Sequence, residues 1–474
     1  MRWIGVYGSI FPNELSATGV VMTYWTDKSP SIFINTFSVI VIAVNCYNVA
    51  CFGEVEFWFE MSKLSLVIAL VLSGIILDLG GIKDQERLGF RYWIYPRPFA
   101  AYFATGSLVR FIDFWKAITT VVYSFGGVQT MFIVFAGEAL YPRRTTYRAA
   151  KRIFFRAFIM YSSPVFVLTL IVPYNNPSIA SSTGSAAGSP FVAMKRVGVK
   201  GFPHIINGVV LTSALSAQNN AIGEGSRYLY VLAAKGQALQ SFLKVNKNKL
   251  PYVATIAIGM FLPLAYMSVS SGADNVLGWF TSLISAYLLL KWITIAVNHI
   301  LLSRAMRNKS ILEIYYLIDS KSQVSHLSSP FFWSVIFLLT SDFANFLHGN
   351  FVISSFISAY LIIPISLVLY FGYKFIKKMK IKNSSKIKLK QLFQHVVNNP
   401  EPPFPKKRPW EYIAAIWDRS LCYLEVGDGR VSNLSTIILD VLLNLYLKHV
   451  IILFIASLYI QILRYKLIHY QIQI

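Results

Sequence analysis

Cysteine is nearly absent: Cys46, Cys51 and Cys422 are the only three in 474 residues, and no two stand in a CxxC pair. That spacing argues against a disulfide framework or a thiolate metal site, and the three read as small buried residues. Charge is scarce at 14% of residues, and acidic charge most of all, with 21 Asp and Glu against 44 Lys and Arg. One water-soluble core is a poor home for such a chain, because 55% of its residues are apolar. Missing too are a Gly-rich phosphate loop, a cluster of metal ligands and a nucleophile paired with a base, so neither enzymatic turnover nor a bound cofactor is expected.

Long apolar runs take the place of these features. About 20 residues of helix cross the hydrocarbon of a bilayer. Runs of that kind lie near residues 3–24, 31–51, 61–79, 117–137, 153–173, 204–226, 252–271, 277–302, 331–347 and 351–373, with a poorer one near 435–463. Gly, Ser, Thr and Asn are mixed among the aliphatics without strict alternation, so helices fit and an outer-membrane barrel does not. The expected fold is all-α, a polytopic transmembrane helix bundle. The first run is too long for a cleavable signal peptide and no small-residue cleavage site follows it, so it is expected to span the membrane.

The formal net charge of +23 raises the question of nucleic acid. The basic residues sit in short blocks between apolar runs and not on one soluble face, so no nucleic-acid partner is expected. The densest block, 137–156, lies between two apolar runs and is placed in the cytosol by the positive-inside rule. Counting helices puts 227–250, with Arg227, Lys235, Lys244, Lys247 and Lys249, on the same side, together with 303–330, which holds Arg304, Arg307, Lys309 and Lys321. The opposite loops near 272–276 and 348–350 contain no Lys or Arg. Segment 80–116 runs against this scheme with its six basic residues, although long loops obey the rule less strictly.

Residues 1–373 thus form the expected bundle of about ten helices. Residues 374–433 form a basic, Pro-containing cytosolic tail, and 434–474 an atypical hydrophobic segment. Lys374–Lys390 holds eight lysines, a composition that attracts anionic lipid headgroups or simply anchors the topology. No oligomeric state follows from the sequence.

Several stretches carry a resemblance. Gly53-Glu54-Val55-Glu56-Phe57-Trp58, Gly137-Glu138-Ala139 with Pro142-Arg143-Arg144, Val172-Pro173-Tyr174-Asn175, Ser189-Pro190-Phe191-Val192 and Gly225-Ser226-Arg227 follow one another in an order that resembles yeast-type amino acid permeases. These are a fungal branch of the amino acid–polyamine–organocation superfamily. The resemblance covers roughly residues 1–380 and implies a five-plus-five inverted-repeat transporter, importing amino acids with protons at the plasma membrane. Aligned on these motifs, the chain begins inside the third family helix, so an incomplete fold without helices one and two is expected. The alternatives are a non-transporting amino acid sensor and an inactive fragment of a permease.

Glu14 lies in the middle of the first apolar run, where a carboxylate is expensive to bury and marks a functional hypothesis. It either binds substrate, carries a coupling proton, or rests as a neutral acid hydrogen-bonded between helices. Tyr123-Ser124-Phe125-Gly126-Gly127-Val128-Gln129 contains paired glycines inside an apolar run, which allow either an unwound turn or close helix approach. The family's sixth-helix break is similar, which implies substrate contacts at Ser124, Phe125, Gly126, Gly127 and Gln129. Here Gln129 replaces the family glutamate and Val128 a small hydroxyl residue. Ser216 and Asn219 stand where the family's eighth helix is polar, both are expected to face the bundle, and the resemblance implies that they bind substrate. Lys63 resembles a family lysine that replaces a bound sodium ion in proton-driven relatives, which implies ion coupling. Its other reading is a side chain snorkelling to the headgroups.

Overall fold

The computed structural model describes residues 2–47, 49–81, 86–96, 107–126, 142–176, 201–248, 250–270, 273–308, 320–346 and 351–376, together with 378 and 398. Among these residues the regular elements are helical. Helix α1 spans Arg2–Met22, α2 Pro30–Tyr47, α3 Val49–Asp78, α4 Arg91–Ile94, α5 Ser107–Val121, α6 Pro142–Ile171 and α7 Phe202–Ala234. Then follow α8 (Tyr252–Gly259), α9 (Met267–Ser270), α10 (Ala273–Asn308), α11 (Ser320–Leu339), α12 (Ile353–Tyr360) and α13 (Ile362–Ile376). The chain divides into two compact units, the larger comprising Met1–Thr130, Ala157–Leu288 and Leu339–Lys377. The remainder, Met131–Arg156, Leu289–Leu338 and Lys378–Ile474, forms the other. Nearly all of the expected tail and the whole of 434–474 lie outside the described residues.

Among the described residues five stretches are long and apolar enough to cross a bilayer: Pro30–Tyr47, Phe52–Asp78, Tyr252–Val269, Asn275–Leu302 and Ile353–Ile376. Helix α1 is 21 residues long, roughly 30 Å at 1.5 Å per residue, and matches the hydrocarbon in length. It is less apolar because Asn13, Glu14, Ser16 and Thr18 lie in its middle. Pro12 interrupts its backbone ladder, since proline has no N–H to donate. Two hydroxyls turn back onto the same stretch, Ser16 Oγ donating to Pro12 O at 2.9 Å and Thr18 Oγ1 to Leu15 O at 2.7 Å.

In the larger unit α1 packs antiparallel against α7. Tyr7 meets Glu224 and Tyr228, Glu14 meets Gln218, and Tyr24 lies against His204. The apolar part of this packing is built from Phe11, Leu15, Ile222, Leu229, Ile34 of α2 and Ile258 of α8, all buried. Helix α7 also runs antiparallel to α3: Glu56 meets Asn220, Ser62 meets Thr212, and Leu77 clusters with Ile206. It stops at Gly236, whose φ of +67° suits glycine. The Gly236 and Gln237 amides turn back to Ala233 O and Leu232 O at 2.9 and 2.8 Å, satisfying carbonyls at the helix end.

Some apolar runs expected as single spans are broken. In 252–271, α8 ends at Gly259 and gives way to a 3-10 turn, Leu262–Tyr266, where Pro263 removes a donor. In 351–373 the chain turns at Leu361 between α12 and α13, because Pro364 cannot donate to the carbonyl of Tyr360. The loop after α7 is fastened to the end of α2, with Asn246 Nδ2 donating to Cys46 O at 2.7 Å and Asn248 Nδ2 donating to Tyr47 O. Carbonyls left without partners at a helix C-terminus are satisfied in this way.

Candidate functional site

Helix α3 places Glu56, Glu60 and Lys63 at i, i+4 and i+7, so the three share one face. Helix α7 places Ser216, Asn219 and Asn220 at i, i+3 and i+4, another single stripe. The two stripes meet. Glu56 Oε2 accepts from Ser216 Oγ at 2.6 Å and from Asn220 Nδ2 at 3.0 Å, while Oε1 accepts from Asn219 Nδ2 at 2.7 Å. Asn45 of α2 extends the set by donating to Asn219 Oδ1 at 2.6 Å. Lys63 Nζ donates to Ser216 Oγ at 2.9 Å and to Glu60 Oε1 at 2.8 Å. A polar stripe inside apolar helices is costly unless each member finds a partner, and here a carboxylate on one helix gathers the donors of the other.

A second set adjoins it on α1. Helix α5 stops at Val121, and the following turn carries Tyr123. Its hydroxyl donates to Glu14 Oε1 at 2.6 Å and accepts from Asn13 Nδ2 at 2.9 Å. Gln218, fully buried on α7, donates to the Glu14 backbone carbonyl at 3.0 Å. Lys63 acts electrostatically on both Glu14 and Glu56. The two sets therefore share one cation. Among the described residues Asn13 Oδ1 and Gln218 Oε1 are buried without hydrogen-bond partners, two acceptors beside the Glu14 segment.

The sequence-predicted residues thus separate into groups. Glu14, Lys63, Ser216 and Asn219 enter the hydrogen-bonded sets. Phe125 lies in the turn with its ring 5.1 Å from that of Tyr161 on α6. Gly126 allows a close approach, since a Cβ there would fall 2.1 Å from Leu288 Cδ1. Ser124 is exposed in the same turn and does not belong to either set among the described residues. Gly127 and Gln129 lie outside the described residues. Glu224 accepts from the Tyr7 hydroxyl at 2.9 Å, and the Arg227 guanidinium lies 5.6 Å from the Phe52 ring centroid.

Sequence reasoning missed Glu56, Tyr123, Asn13 and Asn45. Glu56 carried a usable signal: extending the third helix upstream of residue 61 aligns it with Lys63 two turns later. The pairing of Tyr123 with Glu14 crosses 109 positions and has no local signal.

Apolar helices of spanning length, with titratable side chains held between them, define an integral membrane protein. Residues 3–386 match the family described as Amino acid permease. The dicarboxylic amino acid permease of Saccharomyces cerevisiae is 34% identical over 387 residues, which is 80% of this chain and 64% of that protein. A proline-specific permease of Emericella nidulans is 32% identical over 376 residues, 78% of this chain and 68% of the relative. A general amino acid permease of Saccharomyces uvarum is 28% identical over 440 residues, covering 88% and 67%. The chain belongs to the amino acid permease family.

Proposed function

We propose that this chain moves amino acids across the membrane together with protons, importing them at the plasma membrane by alternating access. The observation that carries the proposal is the convergence of Glu14, Glu56, Lys63, Ser216 and Asn219 from α1, α3 and α7 in an otherwise apolar bundle. Charged groups inside a membrane protein mark substrate or ion pathways, because their burial is not otherwise favoured. Glu14, held by Tyr123 and Asn13, serves as the acceptor for the substrate's donor groups. Ser124, Phe125 and Gly126 supply the turn that covers it, and Ser216 and Asn219 line the α7 side. Gly127 and Gln129 are assigned to the substrate set on the family resemblance alone. Lys63 is the coupling cation.

The relatives are named for dicarboxylic amino acids, for proline and for amino acids in general, so their names support the substrate class and no single substrate. The tail from Lys374 begins in the cytosol in this scheme, where its lysines meet anionic headgroups. The test is uptake of radiolabelled amino acids in permease-deficient yeast expressing this chain or Glu14→Gln. The native chain is expected to import, and Glu14→Gln to lose at least about tenfold, the equivalent of one charged hydrogen bond. Expression at the cell surface without uptake by the native chain sinks the proposal.

A further inference from the structure

Ser216 is fully buried, and its hydroxyl stands between a basic and an acidic side chain. A Lys ammonium can only donate, and a serine hydroxyl has a single hydrogen to give. The orientation therefore follows: Lys63 Nζ donates to Ser216 Oγ at 2.9 Å, and Ser216 gives its hydrogen to Glu56 Oε2 at 2.6 Å. At the other end Lys63 Nζ donates to Glu60 Oε1 at 2.8 Å. Exposure falls along this line, from 56% at the Glu60 side chain to 22% at Lys63. It reaches full burial at Ser216 and rises again at Glu56, which is half-buried. Among the described residues the ion pair of Lys63 is with Glu60. Among the described residues Lys63 is joined to Glu56 through the Ser216 hydroxyl, and Glu56 also accepts from Asn219 and Asn220.

We propose that Glu60, Lys63, Ser216 and Glu56 form a proton wire, with Glu56 as its terminal acceptor. In the transfer an Nζ–H bond of Lys63 breaks as an O–H bond forms on Ser216, while the original O–H bond of Ser216 breaks as one forms on Glu56 Oε2. Lys63 becomes a neutral amine, Glu56 a neutral acid, and Ser216 remains a hydroxyl with its hydrogen turned toward Lys63. A proton arriving at Glu60 restores the ammonium. Asn219 and Asn220 do not titrate, and both can keep donating to Glu56 before and after the transfer, so the junction of α3 and α7 stays closed. Among the described residues the other titratable or charged groups around the wire are Glu14 of α1 with Tyr123, Tyr161 of α6 beside Glu60, and Arg227 of α7 over Phe52. The wire rests on the transport reading for its purpose, which is to load a coupling proton next to the substrate set. It gives Ser216 a relay role beside its place in the lining.

Infrared difference spectroscopy of the purified full chain in lipid nanodiscs, titrated with acid, tests the wire without amino acid uptake. The native chain is expected to show a protonated-carboxyl band that disappears in Glu56→Gln and persists in Glu14→Gln. Its midpoint is expected to move by about one pH unit or more in Ser216→Ala and to return in Ser216→Thr, which keeps the hydroxyl. If Glu56→Gln does not fold, Glu56→Asp decides, because an acid one methylene shorter must keep the band at a shifted frequency. A spectrum unchanged by Glu56 substitution overturns the proposal. A midpoint that is the same in Ser216→Ala and the native chain overturns the relay. Failure of uptake alone would reject the transport reading and leave this result standing.

Discussion

One helix pair, α3 against α7, is apolar at one end and polar at the other. Toward the C-terminal end of α3, Leu77 packs with Ile206, Ile171 and Val172, with Leu66, Leu70, Phe202 and Val210 around them. About six turns toward its start, the same pair is joined through Glu56, Ser216, Asn219 and Asn220. The apolar end is held by shape, since lipid competes equally well for its side chains and only close packing favours the contact. The polar end is held by partners, because each unmet donor or acceptor in hydrocarbon carries its own cost. Shape tolerates small changes gradually. A hydrogen-bonded carboxylate does not.

This contrast can be broken from either side. Ile206→Ala, at 1% exposure, opens a cavity and should cost about 2 to 5 kcal/mol in thermal or denaturant unfolding, with the native pH response retained. Glu56→Gln should cost about 2 kcal/mol by turning acceptors toward donors, and should also remove the pH response that Ile206→Ala keeps. Were both variants to lose stability and pH response alike, the two ends would not differ in kind. Tyr123→Phe removes one hydrogen bond to Glu14. A cost of about 1 kcal/mol is expected, with a larger fractional loss in substrate affinity than in stability, measured by ligand-dependent thermal shift. Lys116→Ala breaks the partly exposed ion pair of α5 with Asp342, at 2.9 Å, and should change the unfolding free energy by about 1 kcal/mol or less.

Much of the fold was legible because the bilayer limits the choices. Helices α1, α2, α7 and α10 fall on apolar runs near 3–24, 31–51, 204–226 and 277–302. The boundaries were less legible, since α3 begins at Val49 and not near 61. That one displacement hid Glu56, which falls before the expected helix and could not be assigned a face. Glu14 and Lys63 were legible as charges in apolar surroundings. Tyr123 was not, because a tyrosine in an apolar run is ordinary until its hydroxyl is seen to donate to an acid on another helix.

The sequence by itself determined that this protein is helical and membrane-embedded, and which charges would need partners there, because a backbone in hydrocarbon must satisfy its own hydrogen bonds. Only the tertiary structure decided which partners they found. The register of α1 and α3 against α7 sets Glu14 beside Gln218 and Glu56 beside Ser216. That register is a sum of side-chain fits between segments some 160 to 204 positions apart, and no local pattern encodes it.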